Sequence, residues 1–599
     1  MKSTGIRKLE PYLMVVLARK FEAITAEMTN TMLRTARSNV MATARDFGCS
    51  IVDDQYGTIC VVGGNVNHVA GAHLVAKITA ELFHDIKPGD CFLNNSPYYG
   101  NPHHGDLTII VPVFYQEEHL FTTIARAHHA DCGNSQPTTY MPFSRDLYEE
   151  GALDFPSLRI HRDYKEKKDL IRMCRVRIRV PDQWYGDILA QVAAARTGER
   201  RLIELCDKYG ADTIKAFVRQ WQNYGRQRMI AEIKKLPNGT WEAETSHDPV
   251  PGVADNGITV RLKMTIDPNE GHITLDFKDS DDWVPGGYNM SMGSIIPAAT
   301  TGVFNNIDPT VPHNEGAFSR IKLELRQGSV VGPVVVPICA SIATTSVSDR
   351  VVNLVQSIFG QLGKDKGIAE GALGMPASAS VVAGVDWRTG RPYVNQLILG
   401  AFGGPAVYGH DGWITYGIPV VGGTIYFDSV EVNEQKYPLI WEHNELILDS
   451  GGAGRWRGAP ACSCIVRPRH DPGSWAYSSD GHLSAAKGIQ GGLAGSSSSV
   501  WKYNIHTKKR VNLTQISFET ITPDEAIVSE SCGGGGFGDP LERDPEKVVW
   551  DVREGFISVE KARDIYGVVV DTSPEQYVVD YKSTEELRRN LKKEKGGKK

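Results

Sequence analysis

The order of apolar and polar positions predicts helices and short strands in the first part of the chain. Residues 8–46 follow a period near 3.6, which is typical of an amphipathic helix. The apolar positions on this period are Phe21, Ile24, Met28, Met32 and Leu33. Four apolar runs separated by Gly, Asn and Asp then predict strands, and they read CSIVDD, GTICVVGG, DCFLNN and LTIIVPVF. Residues 183–234 are again helical, and Gly210 divides them into two helices.

The rest of the chain changes pattern three times. Residues 240–277 alternate polar and apolar positions and predict antiparallel strands. Residues 346–362 form an amphipathic pattern, with Ser348 or Asp349 as the predicted helix N-cap. Residues 378–530 are rich in Gly, Val and turn signals, which favours β-structure with long loops. The last 60 residues are helical and highly charged, and they end in the basic tail KKEKGGKK.

These patterns predict an α+β, multidomain fold with mixed or antiparallel sheets, flanking helices and a β-rich, Gly-rich C-terminal half. A chain of 599 residues exceeds what one core usually organises, so several domains are expected. The predicted segments are an N-terminal metal-site domain at 1–182, a helical segment at 183–238, a middle domain at 239–370, a β-rich domain at 371–545, and C-terminal helices with the basic tail at 546–599.

Composition narrows the class of protein. A net charge of −6 gives no reason to expect a nucleic-acid or membrane-surface partner. The longest uncharged stretch, residues 327–348, is broken by Gly, Pro, Ser and Thr and is a poor membrane span. The N-terminus lacks the apolar segment of a signal peptide, and the ten cysteines lack repeated C-x-x-C pairs. We therefore expect a cytoplasmic protein whose cysteines are mostly buried thiols.

Two groups of His and Asp suggest chemistry. Residues 95–106 read NSPYYGNPHHGD and contain His103 and Asp106, while His128, His129 and Asp131 follow after one strand and its return. Each group alone is more often a hydrogen-bonded pair at a strand entrance. Together, on adjacent strand ends, they can supply the imidazole and carboxylate ligands that zinc, manganese or iron accept. The absence of a required thiolate favours a catalytic over a structural metal site.

Neighbouring residues of an extended strand point to opposite faces, so only one of His128 and His129 can be a ligand. The other is then a catalytic group or supports the ligands, and we predict His129 and Asp131 as catalytic residues. Asp46, at the end of the first helical segment, is either half of a charge pair with Arg45 or a carboxylate brought to the site.

The glycine-rich segments do not resemble nucleotide-binding loops. Residues 532–539 read CGGGGFGD and lack the G-K-[ST] ending of a phosphate-binding loop, so a tight backbone crossing is favoured. Residues 449–457 combine glycines with Arg455 and Arg457, which could bind an anion or brace a partner. We expect that ATP, if the reaction uses it, is not bound by this chain.

The motifs resemble those of the hydantoinase-B/5-oxoprolinase family over nearly the whole chain. Residues 95–106 are similar to the family's N-D-P-Y-x-G-G-T-H-L-P-D, and residues 127–134 (AHHADCGN) are similar to G-H-H-A-D-I-G-G. Residues 45–49 (RDFGC) resemble R-x-D-F-S-C with one residue fewer. Further similar motifs are Y-P-L at 437–439, DSGGAGR at 449–455, GGGGFGDP at 533–540 and DVREG at 551–555.

The resemblance implies a metal-carrying chain that works with a hydantoinase-A-like, ATP-binding partner in a hetero-oligomer. ATP and its magnesium would be used by the partner, which activates a small carbonyl substrate or bicarbonate. The implied metal ligands are Asp46, His103, Asp106 and His128, and the implied ion is zinc or manganese. The spacing of His and Asp had independently suggested the last three.

The family contains two chemistries, the hydrolysis of cyclic amides and the carboxylation of ketones such as acetone or acetophenone. This chain differs from the sequence motif that is common among the hydrolases at Asn101-Pro102 and at His104-Gly105. We expect these positions to decide substrate choice. Residues 417–428 replace a polar T-N-T-P-x-E-x-L-E segment with a more apolar one, which would suit a ketone. We therefore expect the carboxylase chemistry, with the cyclic amidase as the alternative.

Overall fold

The computed structural model describes residues 8–61, 63–398, 400, 402–573 and 576–596, so the last three residues of the basic tail lie outside it. The chain divides into two compact units, each built from separate stretches of sequence. The first unit contains residues 1–245, 251–348 and 381–397, and the second contains residues 246–250, 349–380 and 398–599. Each unit is thus discontinuous in sequence, and the division into five segments stays a prediction.

The described helices and strands, numbered in chain order, confirm the α+β class. The helices are α1 (Pro11–Thr35), α2 (Asn39–Ala42), α3 (Val66–Val69), α4 (His73–Leu82), α5 (Leu147–Glu150), α6 (Lys168–Arg177), α7 (Pro181–Tyr209), α8 (Ala211–Ile233), α9 (Met292–Phe304), α10 (Glu315–Phe318), α11 (Ser346–Ile358), α12 (Val430–Lys436), α13 (Pro545–Arg553), α14 (Val559–Asp564) and α15 (Tyr581–Gly596). The strands are β1 (Phe47–Asp53), β2 (Thr58–Val61), β3 (Cys91–Asn94), β4 (Asp106–Tyr115), β5 (Glu118–His128), β6 (Leu158–Arg162), β7 (Lys165–Glu166), β8 (Gly239–His247), β9 (Ile258–Asp267), β10 (His272–Asp276), β11 (Ile321–Glu324), β12 (Gly374–Met375), β13 (Val381–Asp386), β14 (Arg391–Gln396), β15 (Leu439–Leu446), β16 (Cys462–Pro468), β17 (Gly473–Ser479), β18 (Ser499–Asn504), β19 (Arg510–Asn512), β20 (Ile516–Ile521), β21 (Glu525–Glu530), β22 (Val570–Asp571) and β23 (Val578–Val579). None of the described helices combines the length and apolarity that crossing a membrane requires.

A seven-stranded antiparallel sheet forms the centre of the first unit, in the order β2-β1-β5-β4-β3-β6-β7. Its central strands β4 and β5 form a hairpin whose two-residue turn, Gln116 and Glu117, has positive φ at both positions. This turn geometry matches the right-handed twist of the flanking strands. The hairpin therefore holds β4 and β5 in a fixed register.

Both faces of this sheet are covered, which explains why its strands read as continuous apolar runs. One face contributes residues such as Leu107, Ile109 and Ala125 to a large core shared with α1 and α7. The other face places Ile110 and Ile124 in a smaller core with α4. The predicted break between α7 and α8 is confirmed at Gly210, whose φ of +81° suits a residue without a side chain.

The remaining elements of the first unit include a four-stranded sheet in the order β11-β10-β9-β8, in which β10 and β11 are parallel, and the antiparallel hairpin of β13 and β14. The predicted alternation at 240–277 corresponds to β8, β9 and β10. The N-cap prediction for the helix at 346–362 was wrong, because α11 begins at Ser346 and Asp349 lies within its first turn. The Asp349 carboxylate instead accepts a hydrogen bond from the Val420 amide.

The second unit contains a five-stranded sheet, in the order β15-β16-β21-β18-β19, and a crossing of glycine-rich backbone. A Cβ added at Gly534 would lie 1.9 Å from the Gly404 carbonyl oxygen, and one added at Gly535 would lie 2.1 Å from the Lys487 carbonyl oxygen. The prediction of a tight backbone crossing at residues 532–539 is therefore confirmed. Arg457, which could have bound an external anion, is buried and pairs with Asp551 at 3.1 Å.

The ten cysteines all belong to the described residues, where each is buried and none forms a disulfide, as expected.

Candidate metal centre

The register of β4 and β5 brings the two predicted His/Asp groups together. Asp106, the first residue of β4, stands opposite His128, the last residue of β5. His103 precedes β4 by one short turn, and its backbone carbonyl accepts the Asp106 amide at 3.3 Å. Potential ligand atoms of His103, Asp106 and His128 all lie within 4.8 Å of one another. The sequence prediction that these three side chains converge is confirmed.

Both imidazole rings direct one nitrogen at the same oxygen of Asp106. Nε2 of His103 and Nδ1 of His128 each lie 3.2 Å from Asp106 Oδ1. The other nitrogen of His103, Nδ1, donates a hydrogen bond to the Ser341 carbonyl oxygen at 2.8 Å. Because a carbonyl only accepts, this bond places the hydrogen on Nδ1 and leaves the Nε2 lone pair free in the neutral ring.

The second ring is held in a comparable way. Nε2 of His128 lies 3.1 Å from the Thr139 hydroxyl oxygen. The two rings stack with centroids 5.2 Å apart, and the ring of Tyr140 stacks on both. A Cβ added at Gly105 would lie 2.6 Å from Cε1 of each histidine, so only glycine fits between them. The positions of the two candidate ligand rings are thus set by packing as well as by hydrogen bonds.

The cluster is buried, and its charges shift one another's pKa values. Burial raises the pKa of Asp106, but the neighbouring His103, His68 and His128 outweigh it and hold that pKa well below its usual value. Burial lowers the pKa of His103, but Asp106 and the Ser341 carbonyl outweigh it and raise the pKa. The electrostatic environment therefore keeps Asp106 ionised at neutral pH, as metal coordination requires.

Asp46 lies beside this cluster, directly before β1. Its carbonyl oxygen accepts the His128 amide at 3.0 Å. Its carboxylate accepts hydrogen bonds from Asn65 Nδ2 at 2.8 Å and from His68 Nε2 at 2.7 Å. Burial raises the pKa of Asp46, but His68 and then His128 outweigh it and lower the pKa. Asp46 is thus next to the three converging residues, and its role as a fourth ligand stays a prediction.

His68 is a residue that the sequence analysis missed. It belongs to α3, which follows the Gly63-Gly64 loop, and its Nδ1 lies 4.0 Å from Asp106 Oδ2. It connects the carboxylates of Asp46 and Asp106, which are 60 residues apart in the chain. The polar run NVNH at 65–68, placed after a glycine pair, was the available signal. Thr139 and Ser341 gave no comparable local signal.

The three converging residues fit a divalent metal ion. Two imidazole nitrogens and a carboxylate oxygen meet at one point, and the hydrogen bond to Ser341 leaves a lone pair on His103 Nε2. Asp106 Oδ2 has no hydrogen-bond partner among the described residues. This donor set suits zinc or manganese.

The structure does not bring His129 or Asp131 to the cluster. His129 points to the opposite face of the sheet, as the alternation of side chains along a strand requires, and its Nε2 donates to Gln191 Oε1 of α7 at 2.8 Å. The Asp131 carboxylate accepts from the Gly133 amide at 3.0 Å and from Arg179 Nη1 at 3.0 Å. Both residues therefore make structural hydrogen bonds outside the cluster, and their catalytic role stays a prediction.

Asn101, Pro102, His104 and Gly105, where we expected substrate choice to be decided, are buried in the protein. Asn101 donates to the carbonyl oxygens of His103 and Asp106, and the Pro102 carbonyl accepts from Ser291 at 2.6 Å. His104 is buried, with Nδ1 3.0 Å from Glu150 Oε1 and Nε2 3.4 Å from Asp154 Oδ1. These positions therefore contact the backbone and side chains around the candidate ligands, and their effect on substrate choice stays a prediction. The apolar segment 417–428 belongs to the second unit, where Val420 and Val421 are buried.

The whole chain is similar to known proteins. A family model described as Hydantoinase B/oxoprolinase matches residues 10–540. The B-type subunit of a D-/L-hydantoinase from Pseudomonas sp. (strain NS671) is 29% identical to this chain over an alignment of 608 positions. The alignment covers 98% of this chain and 99% of the relative. The acetophenone carboxylase delta subunit of Aromatoleum aromaticum is 24% identical over 567 residues, which cover 88% of this chain and 81% of the relative.

Two solved structures have a similar fold. The ATP-dependent caprolactamase of Pseudomonas jessenii matches with a TM-score of 0.86 and 25% identity, over 97% of this chain and 100% of that chain. A nucleotide-free acetone carboxylase matches with a TM-score of 0.89 and 20% identity, over 100% of this chain and 85% of that chain. At the lower identity, the likeness concerns the fold alone.

Proposed function

The chain belongs to the hydantoinase B/oxoprolinase family, and we propose that it is the metal-binding subunit of an ATP-dependent, multi-subunit enzyme that carboxylates a ketone with bicarbonate. The observation that carries this proposal is the buried convergence of His103, Asp106 and His128 on one point. Support for a multi-subunit enzyme comes from relatives that are themselves named as subunits. The partner would be a hydantoinase-A-like chain that binds ATP and magnesium.

His103, Asp106 and His128 would hold a zinc or manganese ion, with Asp46 as a fourth ligand. When bound, the ion would polarise a carbonyl or phosphoryl oxygen and offset negative charge that develops on it. The Ser341 carbonyl and the Thr139 hydroxyl orient the two rings, and such support for ligands strengthens metal binding. Burial of the cluster excludes bulk water and strengthens these electrostatic interactions.

Two observations support a carboxylase rather than a hydrolase. One is the likeness to the acetophenone carboxylase delta subunit. The other is the apolar composition of residues 417–428. The competing function is the metal subunit of an ATP-dependent cyclic amidase, which is favoured by the likeness to a hydantoinase subunit and to caprolactamase.

An assay with the co-purified partner chains separates the two functions. We expect a ketone such as acetophenone to be consumed only when ATP and ¹³C-bicarbonate are both present, with the label entering a carboxyl group. Opening of a lactam or hydantoin ring with ATP and without bicarbonate would instead establish the amidase and refute the carboxylase.

A metal analysis of the isolated chain tests whether the subunit is catalytic at all. We expect a stoichiometric divalent metal in the wild type and loss of that metal in His103→Ala. The matched control is His119→Ala, because His119 lies on β5 at the end opposite to His128. A wild-type chain without metal, or unchanged metal in His103→Ala, would indicate an assembly subunit that has kept only the fold.

A further inference from the structure

Arg126 is a buried cation that the proposed chemistry does not yet use. It lies on β5 two residues before His128, so both side chains are on the same face of the sheet. Thr108 of β4 and Gly48 of β1 are its partners in register on either side. The Arg126 side chain has no solvent exposure. It therefore lies two residue pairs further along the β4–β5 ladder than the Asp106–His128 pair.

The guanidinium group of Arg126 is incompletely paired. Its Nε donates to the Thr108 hydroxyl at 2.9 Å, but Nη1 and Nη2 have no acceptor among the described residues. The other fully buried arginines are neutralised, since Arg350 lies 2.8 Å from Asp480 and Arg543 lies 2.8 Å from Asp551. Burial lowers the pKa of Arg126 to about 10, and the attraction of the nearby Asp106 carboxylate offsets only part of this effect. A buried charge whose hydrogen-bond donors stay unpaired is unfavourable, so a further acceptor would stabilise Arg126.

The space around Arg126 contains further unpaired polar atoms. The Oγ atom of Ser50, on the same face of β1, has no partner among the described residues, and the same is true of Asp106 Oδ2 and His68 Nδ1. A Cβ added at Gly48 would lie 2.6 Å from Val69 and 3.0 Å from His68, which shows that α3 covers this face closely. The unpaired atoms thus belong to residues of one sheet face and of the helix α3 that packs on it, and His68 Nδ1 lies 4.0 Å from Asp106 Oδ2.

The charges of this region favour a negatively charged ligand once the ligand cluster carries its ion. Asp46 and Asp106 contribute two negative charges, and Arg126 with a divalent ion contributes three positive charges. The planar guanidinium presents two Nη groups, and this geometry matches two oxygens of one carboxylate, bicarbonate or phosphate group.

We propose that Arg126 binds a small oxyanion, of the bicarbonate or phosphate class, beside the His103–Asp106–His128 cluster. The anion accepts hydrogen bonds from Nη1 and Nη2 and compensates the buried charge. The existence of the site follows from Arg126 and its surroundings, and only the assignment of the anion as substrate or product rests on the proposed function. In the carboxylase, bicarbonate would be the substrate; in either family chemistry, phosphate would be released from the activated intermediate.

The test measures anion binding to the isolated full-length chain, loaded with the metal with which it is purified. Thermal unfolding is followed while sodium phosphate or sodium bicarbonate replaces sodium chloride at constant ionic strength and pH. We expect the wild-type Tm to rise to a plateau with at least one oxyanion, as mass action requires for a ligand of the folded state. In Arg126→Met we expect normal metal content and a half-saturation concentration at least tenfold higher. The oxyanion whose effect on Tm saturates at the lower concentration, phosphate or bicarbonate, is the one that the site binds more tightly.

The matched control is Arg159→Met on β6 of the same sheet, because Arg159 already pairs with Asp85 and Asp90. This variant should keep the wild-type response to anions. An unchanged response in Arg126→Met with its metal retained would place the anion on the metal alone and overturn the proposal. Absence of any plateau in the metal-loaded wild type would overturn it as well.

A second measurement uses the wild type and covers the case in which Arg126→Met does not fold. Crystals of the metal-loaded chain are soaked in selenate, whose anomalous signal marks a bound oxyanion. A peak within hydrogen-bond distance of Arg126 Nη1 and Nη2 supports the proposal, whereas a water that bridges Arg126 to Asp106 overturns it. Neither measurement requires ATP, ketone or a partner chain, so failure here is distinguishable from failure of the proposed function.

Discussion

The carbonyl oxygen of Ser341 accepts a hydrogen bond at 2.8 Å from Nδ1 of His103, a residue 238 positions earlier in the chain. This bond selects one tautomer of His103 and aims its remaining lone pair at Asp106. A residue far from the metal-site motifs thus determines which nitrogen can act as a ligand. The fold of the first unit, and not the motif alone, prepares the ligand cluster.

Thr139 should influence metal affinity although it is not a ligand. Thr139→Val removes the hydroxyl that lies 3.1 Å from His128 Nε2 and frees the ring to rotate. Loss of such a supporting hydrogen bond typically weakens metal binding by about 10- to 100-fold. Competition with a chelator measures the change, and Thr122→Val, a buried threonine next to His119 on the same strand, is the control. Equal affinities in the two variants would contradict this role.

Asp46→Asn tests the predicted fourth ligand. The substitution keeps the side chain's size, but it removes the charge and one oxygen. We expect metal affinity to fall by at least about tenfold, because a lost ligand should cost no less than a lost supporting group. Asp53→Asn, at the last residue of β1, controls for the loss of a buried carboxylate at the opposite end of that strand. If Asp46→Asn binds metal as tightly as the wild type, Asp46 serves only to hold His68 and Asn65.

His128 and His129 should respond differently to substitution. His128→Gln removes a converging ligand and should abolish stoichiometric metal binding. His129→Leu should keep the metal but leave the Gln191 side-chain oxygen without its donor, which typically costs about 1–3 kcal/mol. Elemental analysis and urea unfolding distinguish the two effects. Loss of metal from His129→Leu with its fold intact would reverse the assignment.

The pair of His104 and Glu150 should make stability depend on pH. Burial lowers the pKa of His104, but Glu150 and Asp154 outweigh it and raise the pKa to about 10, above the unfolded value of 6.5. This contribution is therefore complete below about pH 6.5 and is lost as pH rises towards 10, with a size on the order of 5 kcal/mol. Urea unfolding at pH 7 and pH 10 should show a larger loss in the wild type than in His104→Gln. Equal losses of unfolding free energy in the wild type and in His104→Gln would show that the His104–Glu150 pair does not contribute to stability.

His119→Gln is the control for this comparison, because burial lowers the pKa of His119 instead of raising it. This variant should keep the full alkaline loss of stability that His104 and its carboxylates produce.

The glycine crossing should not tolerate a single methyl group. Gly535→Ala would place Cβ 2.1 Å from the Lys487 carbonyl oxygen, so the backbone would have to move. We expect a loss of at least about 3 kcal/mol, the range of severe steric substitutions. Gly409→Ala meets no atom within 4 Å and should cost about 1 kcal/mol, because its φ of +92° disfavours a side chain. Comparable stability of the two variants in urea would show that the crossing can relax.

Sequence periodicity predicted the elements that depend on local pattern. The strands β1, β3 and β4 follow short apolar runs, and the helices α7 and α8 follow helical patterns of apolar residues. Each pattern can be recognised within a short stretch of sequence. The convergence of His103, Asp106 and His128 was also predictable, because hairpin geometry brings the two ends of β4 and β5 to one edge.

Long-range partners were not predictable from the sequence. Ser341 reaches His103 only because the first unit folds 238 positions back on itself, and no local pattern at Ser341 records this. Residue identity and spacing also did not reveal that α7 supplies Gln191 as the hydrogen-bond partner of His129.

The turn at Gln116 and Glu117 has a consequence for how such a chain can diverge. The turn, together with the one-residue register shift between Val113 and Phe114, sets the pairing of Asp106 with His128. Removing one residue of β4 between that shift and Asp106 would therefore exchange the two faces of that part of the strand. Asp106 would then point at α7 while His128 kept its direction. Natural insertions and directed-evolution libraries that change substrate preference should therefore leave the length of this hairpin untouched and vary the segments around it.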